Sequence, residues 1–540
     1  QDYAAVFSYG DGWSVSPSTD DSNSLVYSGD ASALHYRVNS KARPEVYNIV
    51  TDVLNNRCEQ WEELPTGLGL RTTWNLLWTW SKPHIQYSSL LTWQKVNHFP
   101  NSRELTRKDL LNKHISRFMA PGGRLAKEFH IMPQTFVLPH EFTLFVSAFT
   151  ASGGRGNVDS TTCRGSSDEE DSEGTSDNDN DWNYGRGRGG STSRRRSGNN
   201  LWIMKPVGMS RGRGIRLIDD IKNISYADKV VLQRYVGNPL LLDGYKFDLR
   251  LYVLVTSFNK LEAFIYKEGF ARLSTHRYEK GDIDNRFIHL TNSSIQRLNE
   301  TGAAKDSPLH HAKTSEAGGT KTTLSYLWRR LAASGVDVGA LWAGICSVVV
   351  KSLVCVEGSI PNQPNSFELF GYDVLIDDRL RPWLIEVNSS PSMARDTHVD
   401  RQVKEALIFE TVHLVDPLPF DSGGRRVLLF QLTQAVFRGC TLATGIESLC
   451  HSCDILDVHF PLLDKNWKTV ESLGFHTDTD GGLESREASR RPRRVGEPPA
   501  RMGNFVRLCP GTAAHRHARR LRRRVIRPQP GDDDEPAPKP

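Results

Sequence analysis

The 540-residue chain contains no uninterrupted apolar run of about 18 residues, the length a membrane-spanning helix needs. The nearest stretch, 341–356, is broken by Lys351 and reads as a buried helix. Cysteine is sparse, with eight residues at irregular spacing; Cys450 and Cys453 form a lone CxxC without a partner pair. That spacing argues against zinc and for a reducing, cytosolic compartment. No charge of one sign dominates, since the formal net charge is only +5. A Walker loop is missing too: the glycine-rich run 208–214 leads into no Gly-Lys-Ser/Thr and opens no helix. The chain opens on Gln1, which reads as an upstream segment or initiator Met lost or trimmed, and no charged-then-apolar leader follows.

What is present divides by composition. Residues 1–35 are rich in Ser, Asp and Gly and read as disordered. An N-terminal lobe is expected over 36–149, with a helix at 45–54, a strand at 74–80, a basic helix capped by Thr106 and carrying Arg107, Lys108 and Lys113, a strand at 131–138 and a helix at 139–149. Residues 150–199 run from an acidic block into an Arg/Gly/Ser stretch and read as a low-complexity surface insertion. Helices are expected at 321–331, 338–356 and 401–415. Residues 418–485 form an extension without assigned role, and 486–540 an Arg-rich tail that reads as disordered.

The stretch 367–393 organises the rest. Apolar runs 370–376 and 383–387 flank a short polar turn, Asp377-Asp378-Arg379-Leu380, the pattern of a β-hairpin. Strand alternation puts Glu386 and Asn388 on one face, and folding back about the turn brings Asp373 nearly opposite Glu386. Like charges that close repel unless a cation neutralises them, and oxygen ligands suit Mg²⁺, which completes its shell with substrate phosphates. Two other stretches fit a nucleotide. Lys205 precedes the glycine-rich run, whose backbone N–H groups can approach phosphate oxygens. In 246–255, Lys246, Asp248, Arg250 and Tyr252 share one strand face and Phe247, Leu249, Leu251 and Val253 the other, which suggests a polar cleft floor.

Six motifs in order, WIMKP, SRGRGI, KFDLRLYV, HLTN, GYDVLID and WLIEVN, resemble the tubulin tyrosine ligase-like enzymes, and most of all their glutamate-ligating members. LLWTW, QKVNHFP and ELTRKDLL resemble that family's N-terminal region, so the likeness spans about 70–417 outside the insertion. It implies an α+β ATP-grasp fold in which ATP lies between sheets, with a central lobe at 200–240 and a C-terminal lobe carrying the metal site at 241–417. It implies that Lys205 contacts phosphate, that Arg211, Gly212, Arg213 and Gly214 cover it, and that Gln233, Arg234, Tyr235 and Val236 form the adenine hinge. Lys246, Asp248, Thr291 and Asn292 would belong to the nucleotide pocket, and Arg250 would face the transferred phosphate. Asp373, Glu386 and Asn388 would bind Mg²⁺. Arg272 would pair with the carboxylate of the free amino acid, with Ser293, Ser294 and Lys321 lining the same pocket. Through the Arg at position 211, the resemblance also implies chain initiation rather than elongation.

The implied activity joins free L-glutamate to side-chain carboxylates of acidic tubulin tails, with ATP and Mg²⁺, through an acyl phosphate. Lys205, Arg250 and Glu386 would be catalytic. Tubulin and microtubules are the implied partners, and cytoplasm, cytoskeleton and cilium, flagellum or basal body the implied location; neither membrane nor nucleic acid is expected. Glycine or tyrosine ligation, a non-tubulin acidic acceptor and a catalytically dead microtubule-binding protein are the alternatives. RNA binding through the Arg/Gly stretch ranks last because no RNA-recognition motif is present.

Overall fold

The alternation at 246–255 builds the centre of the molecule. The strand Tyr245–Ser257 turns Phe247, Leu249, Leu251, Val253 and Val255 into one buried core, while Tyr252 and Leu254 enter a second core on the opposite face. A computed structural model of the chain describes residues 13–16, 24–27, 34–40, 43–58, 60–64, 74–91, 93–153, 200–208, 212–224, 229–299, 316–418 and 493–526. It separates into two compact units: residues 1–133, 238–278 and 287–540 make one, and 134–237 with 279–286 the other.

In the first unit the central strand pairs antiparallel with Phe270–Arg277 and Glu262–Tyr266 along one edge and with Glu368–Ile376 along the other. Lys321–Thr323 extends the sheet beyond Phe270–Arg277, and Pro382–Asn388 extends it beyond Glu368–Ile376. Every one of these pairings is antiparallel. The helix Val338–Val356 is long and apolar enough to cross a bilayer by length and composition; here its Leu341, Ile345, Val349 and Leu353 join the core beneath the central strand. The helices Pro44–Arg57 and His398–Val415 contribute to the core on the other face. A smaller parallel sheet orders Trp61–Glu63, Leu34–Asn39, Leu76–Thr79 and Lys95–Val96. Trp74 and Trp78 are buried and join apolar clusters.

The second unit holds an antiparallel sheet in the order Thr135–Leu138, Val230–Arg234, Trp202–Pro206 and Arg216–Ile218, with Phe145 and Phe149 of the helix Phe142–Ala151 in its core. This corrects the boundary expected at 149. The strand before the insertion pairs with Val230–Arg234, so residues from 134 onward belong with 200–237 rather than with the N-terminal lobe.

Local expectations are corrected as well. Lys321 lies on a strand, not in a helix; the helix starts at Leu324 with Thr323 as its N-cap, its hydroxyl accepting from the Tyr326 N–H. Thr106 closes the short helix Arg103–Thr106, and Arg107, in extended conformation, precedes the helix Lys108–Met119. Within 1–35, Trp13–Ser16 and Ser24–Tyr27 pair as antiparallel strands where disorder is expected. The insertion from 154 to 199 and the extension from 419 to 492 lie outside the described residues.

The largest correction concerns the tail. Residues 493–526 are folded, not disordered. Phe505–Cys509 adds an antiparallel strand beside Glu262–Tyr266. The helix Ala513–Ile526 then buries Ala518 and Leu521 in the same core as Val338–Val356. Body carboxylates receive it: Arg493 reaches Glu262 at 2.5 Å, and Arg519 and Arg522 reach Glu357 at 2.6 and 2.9 Å. The arginine-rich composition conceals a short apolar pattern, Phe505, Leu508, Cys509, Ala518 and Leu521, and that pattern decides the outcome.

Truncation after residue 492 should therefore destabilise the first unit, by on the order of 5 kcal/mol from the lost apolar burial alone. Thermal melts check this against a truncation after 526, which removes none of these contacts. Equal melting temperatures for the two would show that the segment is a passive appendage.

Candidate active site

Strand register aligns the charged residues. Across the sheet, Lys321 stands opposite Arg272 and Arg272 opposite Asp248. One residue pair along, Arg250 stands opposite Asp373 and Asp373 opposite Glu386. The hairpin thus forms as its sequence predicts, with Leu380 in a left-handed turn conformation (φ 61°). Gly371 lies beside Asp373 because the Arg250 side chain and Pro391 crowd it; an added Cβ would stand 3.0 Å from Pro391 Cβ.

The pairs are closed in a dry environment. Arg250 Nε donates to Asp373 Oδ1 at 2.7 Å and its Nη2 to Oδ2 at 3.2 Å. Arg272 Nη2 reaches Asp373 Oδ2 at 3.0 Å, and its fork also holds Asp248, with Nε to Oδ1 at 2.7 Å. Burial alone would push the Asp373 carboxyl up; the two guanidiniums outweigh it and hold it well below the usual carboxylate range. Burial likewise opposes the charge of Arg272, and Asp248 and Asp373 together raise it above the ordinary arginine value.

Glu386 has a partner that sequence reasoning missed. Lys108, at the start of its helix, lies 3.1 Å from Glu386 Oε2. The basic helix therefore points a charge at the hairpin. Arg107 is taken up by Asp109 at 2.7 Å. The Asn388 amide donates to Gly371 O at 3.3 Å and lies 3.4 Å from Glu386 Oε1. Asp373, Glu386 and Asn388 present hard oxygen donors on adjacent strands, and each carboxylate already rests against a cation. That chemistry fits a small divalent ion.

Other predicted residues of this unit fall on its edges. Lys246 donates to His289 O at 2.7 Å, tying the central strand to the 287–292 segment. Thr291 is buried, Asn292 precedes the short helix Ser293–Gln296, and Ser293 and Ser294 open it. Gln296, not singled out from sequence, anchors this segment: its Oε1 accepts from the Thr275 N–H at 2.9 Å and its amide donates to the Leu290 carbonyl. Lys321 pairs with Asp400 at 3.0 Å.

In the second unit, Lys205 donates to the Gln233 side chain at 2.8 Å, and the Gln233 amide donates to Thr135 Oγ1 at 3.0 Å. Arg234 reaches Ser152 at 2.7 Å with its guanidinium over Trp202. Tyr235 N–H donates to Leu201 O at 2.9 Å. Val236 lies just before the change of unit at 237/238. Gly212 and Gly214 have left-handed φ of 75° and 69°, a conformation that favours glycine, and Arg213 between them is exposed. Arg211 lies outside the described residues.

The profile of the tubulin-tyrosine ligase family matches residues 85–423, well over half of the chain and all of the charged row. This chain belongs to the tubulin-tyrosine ligase family. Among curated relatives, mouse tubulin polyglutamylase TTLL5 is 38% identical over 356 residues, covering 64% of this chain and 23% of the mouse protein. Human probable tubulin polyglutamylase TTLL2 is 35% identical over 343 residues, covering 63% of this chain and 50% of its own. Probable alpha-tubulin polyglutamylase Ttll1 of Tetrahymena thermophila is 32% identical over 383 residues, covering 64% and 78%. The chain thus spans about a quarter of the length of the TTLL5 relative and half of TTLL2.

In this family member, Asp373→Asn should remove the charge that Arg250 and Arg272 share. Two buried guanidiniums would then face Asp248 alone, costing on the order of 3–5 kcal/mol. A thermal melt of the variant measures it, and an unchanged melting temperature would mean that the row is not held by this carboxylate.

Proposed function

We propose that this chain is an ATP-dependent ligase that adds glutamate, through an isopeptide bond, to glutamate side chains of tubulin C-terminal tails. The observation that carries the reading is the charged row: acids, guanidiniums and an ammonium aligned across adjacent strands, within a family whose relatives are named tubulin polyglutamylases. The acceptor carboxylate attacks the γ-phosphorus of ATP, giving an acyl phosphate and ADP. The amine of free glutamate then attacks the acyl carbon, an amide forms and phosphate leaves.

Asp373, Glu386 and Asn388 would hold Mg²⁺, which when bound neutralises charge on the phosphoryl oxygens. Arg250 and Arg272, both paired with Asp373, are the cations that stand beside the residues that would hold the ion. Arg250 would face the transferred phosphoryl and Arg272 the α-carboxylate of the amino acid, for which its planar fork is suited. Lys205 and the turn Arg211–Gly214 would contact phosphates, the 233–236 backbone the adenine, and Lys246, Asp248, Thr291 and Asn292 the remaining nucleotide. Ser293, Ser294 and Lys321 would line the amino-acid pocket. The acceptor would come from microtubules, which places the protein on the cytoskeleton, including that of cilia.

The C-terminal helix supplies a docking face for such an acceptor. Arg516, Arg520, Arg523 and Arg524 recur at helical spacing on its exposed side, opposite Ala518 and Leu521. Arg520, Arg523 and Arg524 have no acidic partner among the described residues. An arginine stripe attracts an acidic lattice over about 8–10 Å at physiological salt.

Mass spectrometry of microtubules incubated with the full chain, ATP, Mg²⁺ and each of glutamate, glycine and tyrosine tests the reading. Glutamate adducts on the tails are expected; glycine or tyrosine adducts instead would overturn the amino-acid assignment, and no adducts the ligase reading. Glu386→Gln keeps shape and removes one charge from the metal site, so turnover should fall to background at saturating Mg²⁺. Replacing Arg520, Arg523 and Arg524 by Ser should weaken microtubule co-sedimentation and flatten its salt dependence while sparing turnover on a free glutamate-rich peptide.

A further inference from the structure

Around the hairpin, six paired charges sum to zero. Arg250 and Arg272 offset Asp373 and Asp248, and Lys108 offsets Glu386. Further along the sheet the balance is positive, because Lys321 and Lys404 share the one carboxylate of Asp400 at 3.0 and 2.7 Å. Asp373, Glu386 and Asn388 nevertheless present the oxygen donors of a divalent site. A dication approaching side chains of no net negative charge has little attraction to set against its own dehydration, and Mg²⁺ dehydrates reluctantly.

Of the three carboxylates, Glu386 alone is balanced from outside the sheet. Asp248 and Asp373 are held by guanidiniums on neighbouring strands, whereas Lys108 opens the helix Lys108–Met119. That helix is fixed where it lies. Its Leu111, Ile115 and Phe118 are buried in the same core as the apolar face of the central strand, and Arg107, just before it, is tied to Asp109 at 2.7 Å. The Lys108 and Glu386 side chains are each 19% exposed, so their 3.1 Å contact is shielded from solvent without being sealed from it. A pair placed so can weaken a third charge, and a ligand can still reach it.

Resting on the ligase reading above, we propose that Lys108 is a built-in counter-ion for Glu386, a positioning residue that disfavours a free divalent ion and lets the ion bind only together with an anionic phosphate ligand. With Lys108 in place, the negative charge that a dication needs has to come from the ligand, and a polyphosphate brings it. Ion and phosphate are thereby coupled, each raising the affinity of the other by the same factor. Without the Lys108 charge, Glu386 is uncompensated and the cluster carries one net negative charge, enough to attract a divalent ion unaided.

Mn²⁺ alone, a paramagnetic stand-in for Mg²⁺, is titrated into the full chain without nucleotide while electron paramagnetic resonance follows the free ion. The unaltered protein should bind it weakly, and Lys108→Met should tighten binding about tenfold or more. A merely structural role for Lys108 gives the opposite sign, since a disturbed site binds less. Lys108→Arg keeps the charge and should return the affinity to that of the unaltered protein. Adding Glu386→Gln to Lys108→Met should abolish the gain, which places the bound ion at this carboxylate. Lys113→Met removes an exposed charge from another side of the same helix and should leave the affinity unchanged; an equal gain there would mean a general field and overturn the inference. Should Lys108→Met fail to fold, Glu386→Gln alone decides. Binding of Mn²⁺ without nucleotide should be equally weak in that variant, and a marked loss relative to the unaltered protein overturns the inference. Unchanged or weaker Mn²⁺ binding in folded Lys108→Met overturns it too, and leaves the ligase reading standing while a fluorescent ATP analogue still binds with Mg²⁺. An unaltered protein that binds no ATP analogue with Mg²⁺ present overturns both.

Discussion

The register that sets Arg250 opposite Asp373 constrains everything around it. In a sheet, a slip of one residue sends every side chain to the other face. Here such a slip would drive Lys246, Asp248 and Arg250 into the apolar core and expose Leu249 and Leu251. It would also leave Asp373 buried without a guanidinium. The apolar face and the charged face therefore enforce the same pairing. Because Arg272 bridges Asp248 and Asp373, the constraint extends over neighbouring strands rather than one pair.

Such a row is poor material for stability. Desolvating these groups removes much of what their attraction returns, and hydrophobic residues of the same volume would often serve a fold as well. Its presence at the centre of the largest sheet is better understood as pre-organisation. On the ligase reading proposed above, the guanidiniums and carboxylates would be held in place before an anionic ligand or divalent ion arrives, and little reorganisation would accompany binding. Lys108 extends the same logic to Glu386, placing a cation beside the carboxylate in advance.

How much of this is legible from sequence depends on the range of the interaction. The hairpin is legible because a short turn and strand alternation fix Asp373 against Glu386 within a few residues of chain. The polar face of 246–252 is legible for the same reason. The pairs Lys108–Glu386 and Lys404–Asp400–Lys321 are not, since nothing local tells a solvated lysine from one aimed into a core. The strand Thr135–Leu138 reads correctly as a strand but is assigned to the wrong unit, because its partner lies beyond the long insertion. The segment 493–526 is misread because composition outweighs pattern when arginine is this dense: few apolar residues suffice for one added strand and one helix face.

That segment also separates two functions that a single deletion would merge. On one helix, Arg519 and Arg522 turn inward to the buried Glu357, while Arg520, Arg523 and Arg524 face solvent. The inward pair neutralises a carboxylate that would otherwise be buried unpaired, a contribution to folding. The outward set is free for the acidic partner proposed above and contributes little to folding, since exposed charges are screened. Loss of microtubule affinity on truncation would thus report an unfolded sheet edge as readily as a missing docking face. Only substitutions confined to the outward arginines distinguish the two, because they leave the strand Phe505–Cys509, the buried Leu521 and the Glu357 pairs in place.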